Sequence, residues 1–223
     1  MIPIQVFYSM SMKNKTLFLE GNFPTSPMSS SKRGLVHGVG VNDADYRVKP
    51  KIDGKLVCCP AYHSWKLMLL RTYCAKYHAR QPTYSDVKIC DEWHSFSAFR
   101  LWWLENQVDG WQLDKDLVGD GKLYSPDTCV FVPSWINSFA SNCTAARGEN
   151  PIGTAVVNGC IVAMCRNPFT GHRESLGCFK SFSDASDAWR SRKIDFVYEM
   201  KSETDKIDKR IHDGLLNIIK GII

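Results

Sequence analysis

The segment that decides the fold runs from Trp111 to Asn137 and reads WQLDKDLVGDGKLYSPDTCVFVPSWIN. Two short runs, Gln112 to Asp116 and Cys129 to Val132, have the composition of β-strands, and the Gly119 to Gly121 triplet between them is typical of a turn. Pro133 favours the first position of a helix. The order strand, strand, helix predicts a ββα element.

Oxygen-bearing side chains lie at both ends of this element. In a ββα element the end of the first strand and the face of the helix converge, so we expect Asp114 and Asn137 to approach each other. Their oxygens suit a hard divalent cation such as Mg²⁺, which polarises a phosphodiester and stabilises the leaving oxygen. The alternative is a polar hairpin followed by a surface asparagine.

Composition sets the broad class. The chain has 223 residues, of which 44% are hydrophobic and 12% aromatic, which is enough for one good core or two small ones. No apolar run approaches the roughly 18 residues that span a bilayer, and the start of the chain is a poor secretory signal. An odd count of nine cysteines without a repeating frame favours a reducing cytoplasm. We therefore expect a soluble, cytoplasmic protein with no membrane partner.

The basic residues are concentrated in one segment. The net charge of +5 is modest, but between Lys55 and Cys90 the only acidic residue is Asp86. This imbalance indicates a surface for a polyanion, and the alternative is an ordinary helix with solvated lysines. The residues that we assign here as candidate DNA contacts are Lys66, Arg71, Lys76 and Arg80.

Shifts in composition divide the chain into four segments. Residues 1–34 end in PTSPMSSSKRG, which predicts a leader and linker rather than core. Residues 35–147 form the first module, residues 148–200 form the second, and residues 201–223 form a C-terminal helix. The boundary near residue 148 lies within the linker sequence SNCTAARGENP.

Two amphipathic helices are predicted to flank the ββα element. The first covers about residues 60–79, and the second covers about residues 95–107 and begins at a serine cap. The apolar residues that recur at helical steps are Tyr62, Trp65, Leu69 and Tyr73 in the first helix, and Phe96, Phe99 and Trp103 in the second.

The segment from Gly153 to Phe196 predicts a small sheet and a helix. It contains three short strand patterns, and the turn NPFTGH joins the second strand to the third. Period-two alternation places Arg166 and Arg173 as neighbours on one face, while the opposite face is apolar and packs on the helix. Such a sheet can enter a DNA major groove. Asn167 and His172 of the turn are further candidate DNA contacts.

The C-terminal segment, Lys201 to Ile223, predicts a helix that docks on a partner. It is charged at first and then apolar at helical spacing. The spacing does not identify the surface on which this helix docks. A surface of another protein is one candidate.

Four cysteines in the first module have the residue type of zinc ligands. They are Cys58, Cys59, Cys74 and Cys90. Because they form no Cys-x-x-Cys pair, we interpret them as small buried hydrophobic residues and expect no structural zinc.

Three sequence blocks within about residues 37–139 point to a known family. They read CPAYHSWKLMLLRTYC, then VKICDEW with FSAF, then LDKD followed by LYSPDTCVFV. In this order they resemble a group of phage-encoded proteins similar to HNH, or ββα-metal, homing endonucleases. The resemblance implies a variant HNH module with flanking helices, Mg²⁺ or another divalent cation as cofactor, and the cytoplasm of an infected bacterial cell as location.

The resemblance also implies residue roles. Asp114 and Asn137 match the family's metal-ligating aspartate and late asparagine. Lys115 stands where the family has its base histidine, and Thr128 stands in place of the middle asparagine. Asp116 and Thr128 are expected to support the site, while Lys115 acts either as the base or as a fixed positive charge beside the phosphate. Other candidate bases are His37, His63 and His94.

The second module resembles the ethylene-response-factor type DNA-binding domain of plants, which also occurs fused to HNH nucleases in phage. The shared framework is RNPFTG, a later arginine, LGCF and AW. The resemblance implies that Arg166 and Arg173 contact DNA. Thr154 and Val156 stand where the plant domains carry arginines, and Ser175 replaces a contacting tryptophan, which implies weaker or less specific binding. The alternative is a sheet that only docks on the first module.

Together these observations predict an α+β protein in which a variant HNH ββα-metal module precedes a three-stranded antiparallel sheet plus helix domain. The predicted function is a homing or nicking endonuclease that acts on double-stranded DNA by metal-assisted phosphodiester hydrolysis. One alternative is a catalytically degenerate DNA-binding or regulatory protein, because the base histidine is missing. The other is a protein inhibitor of a host enzyme that uses the C-terminal helix.

Overall fold

The structure, a computed structural model, describes residues 3–141 and 150–221. Helices and small sheets are mixed along the chain, which confirms the α+β class. The chain divides into two compact units, Met1–Trp111 with Gly121–Phe131 and Gln112–Asp120 with Val132–Ile223. In the described ranges, no helix has the length and apolar character needed to cross a membrane. The predicted boundary near residue 148 lies outside the described residues.

The elements are numbered here in chain order. The helices are α1 (Ile4–Ser9), α2 (Met12–Asn22), α3 (Pro27–Ser31), α4 (Pro60–Tyr73), α5 (Ala75–His78), α6 (Phe96–Asn106), α7 (Ser134–Ala140), α8 (Phe182–Glu199), α9 (Lys201–Asp205) and α10 (Arg210–Lys220). The strands are β1 (Lys51–Ile52), β2 (Lys55–Leu56), β3 (Lys88–Ile89), β4 (Gln112–Asp114), β5 (Leu123–Tyr124), β6 (Val130–Val132), β7 (Thr154–Val157), β8 (Cys160–Arg166) and β9 (Arg173–Phe179).

The sheets are small. Strands β1 and β2 pair antiparallel, and β3 pairs with β5 in parallel. Strand β4 forms a two-stranded sheet with β6, whose last residue, Val132, belongs to the same unit as β4. Strands β7, β8 and β9 form an antiparallel sheet in that order, with β8 at its centre. The predicted order of strand, strand and helix from β4 to α7 is therefore present, and β5 is an additional strand between them.

Aromatic side chains fill the core of the first unit. Trp65 of α4 and Phe96 of α6 are fully buried and their rings lie 5.5 Å apart. The indole nitrogen of Trp65 donates a hydrogen bond to the backbone oxygen of Trp93 at 2.7 Å, so this buried polar group has a partner. Ser95 caps α6 by accepting from the amide of Ala98, as the sequence predicted.

The prediction of a single helix over residues 60–79 is wrong in one respect. Cys74 has an extended backbone, with φ −92° and ψ 109°, so the segment divides into α4 and α5. The apolar residues that predicted α4 are buried, including Trp65 and Leu69 at 0% exposure. The amphipathic pattern therefore identified the buried face but not the break.

Residues 3–34 differ from the leader and linker that we expected at the start of the chain. They form α1, α2 and α3, and Ile4, Phe7 and Leu19 are buried in the core of the first unit. Glu20 of α2 forms a two-bond ion pair with Arg100 of α6. The Pro/Ser-rich sequence that suggested a linker makes up only α3 and its flanks.

Helix α8 is the centre of the second unit. The β7–β8–β9 sheet packs on it, and so does the C-terminal helix α10. Ala185 and Phe196 of α8 and Ala163 of β8 are fully buried. The three strands, the turn between β8 and β9, and the helix are as the sequence predicted.

The C-terminal segment forms two helices, α9 and α10, instead of the single helix that was predicted. In α10 the apolar residues Ile211, Leu215 and Ile219 are buried, and α10 packs on α8 and α7. The apolar face of this segment is therefore covered by its own chain. Gly214 lies against the backbone of Leu117, where a larger residue would overlap the carbonyl oxygen.

We expect Gly214→Ala to destabilise the second unit. A methyl group at this position meets backbone and not a movable side chain, and such overpacking costs about 1–3 kcal/mol or more. Gly21→Ala is the matched control, because the position is helical and a Cβ there has nothing within 4 Å. Denaturant unfolding of both variants measures the difference. Equal stability of the two variants would contradict the packing of α10.

Candidate nucleic-acid interface

Asp114 and Asn137, the two predicted metal ligands, lie on the same face of β4. The side-chain nitrogen of Asn137 donates a hydrogen bond to Oε1 of Gln112 at 2.7 Å. Because side chains alternate along a strand, Gln112 and Asp114 point to the same face of β4. Asn137 therefore lies on the face of β4 that carries Asp114, and the bond engages its nitrogen and not its oxygen.

Asp114 is held by the backbone of the loop that follows it. Its Oδ1 accepts hydrogen bonds from the amides of Asp116 at 2.8 Å and Leu117 at 2.9 Å. Burial raises the pKa of Asp114, and the nearby carboxylate of Asp116 raises it further, while the hydrogen bond from Leu117 acts in the opposite direction. The carboxylate is thus fixed in position and costly to ionise.

Lys115 is buried beside this carboxylate. Its side chain is 7% exposed, and its Nζ lies 2.6 Å from Oδ1 of Asp116, whose side chain is 54% exposed. Lys115 and Asp116 therefore form an ion pair with one buried and one exposed partner.

Thr128 has a local structural role in the first unit. Its hydroxyl donates to the backbone oxygen of Leu123 at 2.7 Å and accepts from the amide of Ser125 at 3.1 Å. His94, one of the alternative bases, lies in the same unit with its Nε2 at 2.7 Å from the hydroxyl of Tyr73. No group of three or more His, Cys, Asp or Glu residues that could hold a metal ion occurs within residues 3–141 and 150–221.

The basic residues predicted to bind DNA in the first unit have different environments. Lys76 and Arg80 are exposed, and Lys66 is half-buried. Arg71 is half-buried and hydrogen-bonded to the side chain of Tyr124. Although burial lowers the pKa of Arg71, its tyrosine neighbours outweigh that effect and raise it. Arg71 therefore stabilises the first unit, whereas Lys76 and Arg80 are accessible to an anion.

Two arginines lie side by side at the turn end of the β7–β8–β9 sheet. Arg166 of β8 is directly opposite Arg173 of β9, and both are exposed. The Nε of Arg166 donates to the backbone oxygen of Gly171 at 3.0 Å, which orients the guanidinium group. The neighbouring residues Ala163 and Cys165 face α8 and are buried, so the arginines lie on the uncovered face.

Asn167 holds the turn rather than projecting from it. Its Oδ1 accepts from the amides of Phe169 and Thr170, and its Nδ2 donates to Glu174 at 2.6 Å. Glu174 in turn accepts from Arg192 of α8 at 2.9 Å. Asn167 therefore positions the two arginines, whereas His172, the other predicted turn contact, is exposed.

The strand register assigns the residues of β7 to the two faces of the sheet. Thr154 is directly opposite Ala163, which is buried against α8, so Thr154 and Val156 lie on the helix side of the sheet. The residues of β7 on the arginine-bearing face are Ala155 and Val157. Neither face of β7 carries an arginine.

A groove of about 340 Å³ lies between α7 and the turn that joins β8 to β9. Trp135 of α7 and Arg166 of β8 both line it, together with the buried Lys193 of α8. Sequence reasoning missed Trp135 and Lys193. The exposed tryptophan in a short helix was a usable signal, while a buried lysine has no local sequence signature.

Comparisons with known proteins found no match to this chain among protein-family models, curated proteins or solved structures. The similarities to HNH endonucleases and to plant DNA-binding domains therefore stay predictions.

Substitutions of Asp114 separate its charge from its hydrogen bonds. Asn keeps an oxygen for the two backbone amides, whereas Ala removes both bonds, which costs about 1–3 kcal/mol. A raised pKa in the folded state means that the wild type loses stability as pH rises from the ordinary carboxyl range through the raised value. We therefore expect Asp114→Asn to gain stability relative to wild type on going from acidic to neutral pH. Denaturant unfolding at several pH values measures this, and a constant difference would contradict the buried carboxylate.

Proposed function

We propose that this chain binds double-stranded DNA through the turn end of its three-stranded sheet. The observation that carries the proposal is the exposed pair Arg166 and Arg173, directly opposite each other on the face that α8 leaves uncovered. Like charges directly opposite each other destabilise a sheet, and an anionic ligand removes that repulsion. Guanidinium groups bind phosphates and guanine edges with two parallel hydrogen bonds.

The turn is built to keep these arginines in place. Gly171 accepts from Arg166, and Asn167 closes the turn and connects through Glu174 to Arg192 of α8. A rigid support of this kind reduces the conformational entropy that binding costs. This favours a built binding site over two solvated surface arginines.

Metal-dependent hydrolysis of the bound DNA is the second candidate function. Asp114 and Asn137 lie on one side of β4 and are the residues that would hold a divalent cation, since both offer oxygen ligands. A bound cation supplies polarisation of the phosphodiester and stabilisation of the leaving oxygen. The remaining support is the resemblance to HNH proteins. A set of two protein ligands is sparse, so DNA binding without cleavage is the better supported function.

Removing both arginines tests DNA binding. We expect Arg166→Ala with Arg173→Ala to weaken binding to duplex DNA and to lower its salt dependence. The physical reason is that each phosphate that an arginine no longer neutralises reduces the slope of log K against log salt by about 0.9. Fluorescence anisotropy over a range of salt concentrations measures both effects.

The control variant is Arg190→Ala with Lys201→Ala, which removes the same charge from helices α8 and α9. It is expected to change the affinity little. If the two double variants behave alike, the sheet is not the DNA-binding surface.

Substitutions of Lys115 test the second candidate on long duplex DNA with Mg²⁺ or Mn²⁺. Arginine keeps the positive charge but cannot act as a base at neutral pH. A fixed-charge role predicts that Lys115→Arg retains most nicking and that Lys115→Met abolishes it, whereas a base role predicts that both are inactive. If the unchanged protein nicks none of the DNA that it binds, the nuclease candidate is rejected and DNA binding stands.

A further inference from the structure

The uncovered face of the β7–β8–β9 sheet has an unusual composition for a DNA-binding surface. We call this face the outer face. The strand register assigns to it Ala155, Val157, Cys160, Val162, Met164, Arg166, Arg173, Ser175 and Cys178. Only the two arginines are charged, and both lie at the turn end. The remainder of the outer face is apolar or small.

The apolar residues of the outer face are accessible. Val157 is 45% exposed, Val162 and Met164 are half-exposed, and Cys178 is exposed. By contrast, Ala163 on the other face is fully buried by α8. An accessible apolar surface next to a basic pair fits a ligand that presents apolar groups beside hydrogen-bond acceptors.

The major groove of B-DNA offers that combination. Its principal apolar group is the C5 methyl of thymine, and guanine presents two acceptors, O6 and N7, that match a guanidinium group. We propose that the outer face reads thymine methyls with Val162 and Met164, beside guanine contacted by Arg166 and Arg173. This inference rests on the proposed DNA-binding function and adds its sequence preference.

Strand geometry orders these contacts along the groove. Successive outward residues of a strand are about 6.7 Å apart, which exceeds the axial rise of about 3.4 Å between successive base pairs. When β8 follows the groove, Val162, Met164 and Arg166 therefore meet different base pairs in that order. The preferred site has two thymines followed, in the same direction, by guanine.

The test compares thymine with uracil, which lacks only the methyl group. A pool of short random-sequence duplexes is enriched by binding to the whole protein, and the enriched pool is then prepared with thymine or with uracil. Each buried methyl contributes about fourfold in affinity, so we expect the uracil pool to bind about tenfold or more weakly.

Variants locate the effect on the outer face. Val162→Ala with Met164→Ala is expected to bring the thymine-to-uracil ratio of affinities close to one. The matched control is Val156→Ala, a valine of the helix side that is 57% exposed, and it is expected to keep the ratio of the unchanged protein. The comparison of the two pools with the unchanged protein does not depend on whether the variants fold.

The outcomes distinguish this inference from the proposed function. Equal binding of both pools, with binding still weakened by Arg166→Ala with Arg173→Ala, overturns the thymine preference and leaves DNA binding intact. A pool that the protein retains without enriching any sequence overturns the preference alone, whereas a pool of which the protein retains no DNA overturns both the preference and the proposed function.

Discussion

A buried lysine holds the second unit together. Lys193 of α8 is 7% exposed, and its Nζ donates to the backbone oxygen of Phe139 at 2.6 Å and lies 3.3 Å from the centre of the Phe139 ring. Carbonyl oxygens at the end of a helix lack partners within the helix, so a cation at the C-terminal end of α7 meets both a hydrogen-bond need and the helix dipole. A buried charge is tolerated only when it is paired in this way.

This interaction fixes the relation between α7 and α8, and the candidate sites follow from it. Helix α7 carries Asn137, which contacts β4 through Gln112, and helix α8 carries the sheet with the arginine pair. Lys193, which joins the two helices, also lines the groove with Trp135 and Arg166. Strand β4, helix α7 and the hairpin that carries the arginine pair are thus parts of the second unit.

Local patterns predicted the parts of the fold that depend on local physics. Alternation along β8 identified the outward arginine Arg166 and the buried Ala163, and a serine at position 95 predicted the start of α6. Long-range contacts decided the rest. The burial of Leu19 has no signature within its own segment, because α2 packs on α4, which is distant in sequence. The sequence around Cys74 likewise gives no sign of the break there.

In the candidate sites, too, local sequence predicted some features, whereas contacts in the folded structure determine others. Arg71 was grouped with the DNA-binding residues by charge alone, and Tyr124, distant in sequence, engages it instead. Asn167 was assigned as a contact because it lies in the turn, but its hydrogen bonds to the turn and to Glu174 make it a positioning residue. Residue type and position in a turn therefore did not predict the hydrogen-bond partners that give Arg71 and Asn167 their structural roles.

The most direct test of the central claim uses the native cysteines of the sheet. Cys160 and Cys178 are exposed on the same face as the arginine pair, whereas Cys58 and Cys74 of the first unit are half-buried and distant in sequence. The measurement is the alkylation rate of each cysteine, followed by mass spectrometry, with and without saturating duplex DNA. Binding on this face predicts that DNA slows the alkylation of Cys160 and Cys178 while the other two rates stay unchanged. Unchanged rates at Cys160 and Cys178 in the presence of bound DNA would contradict the account.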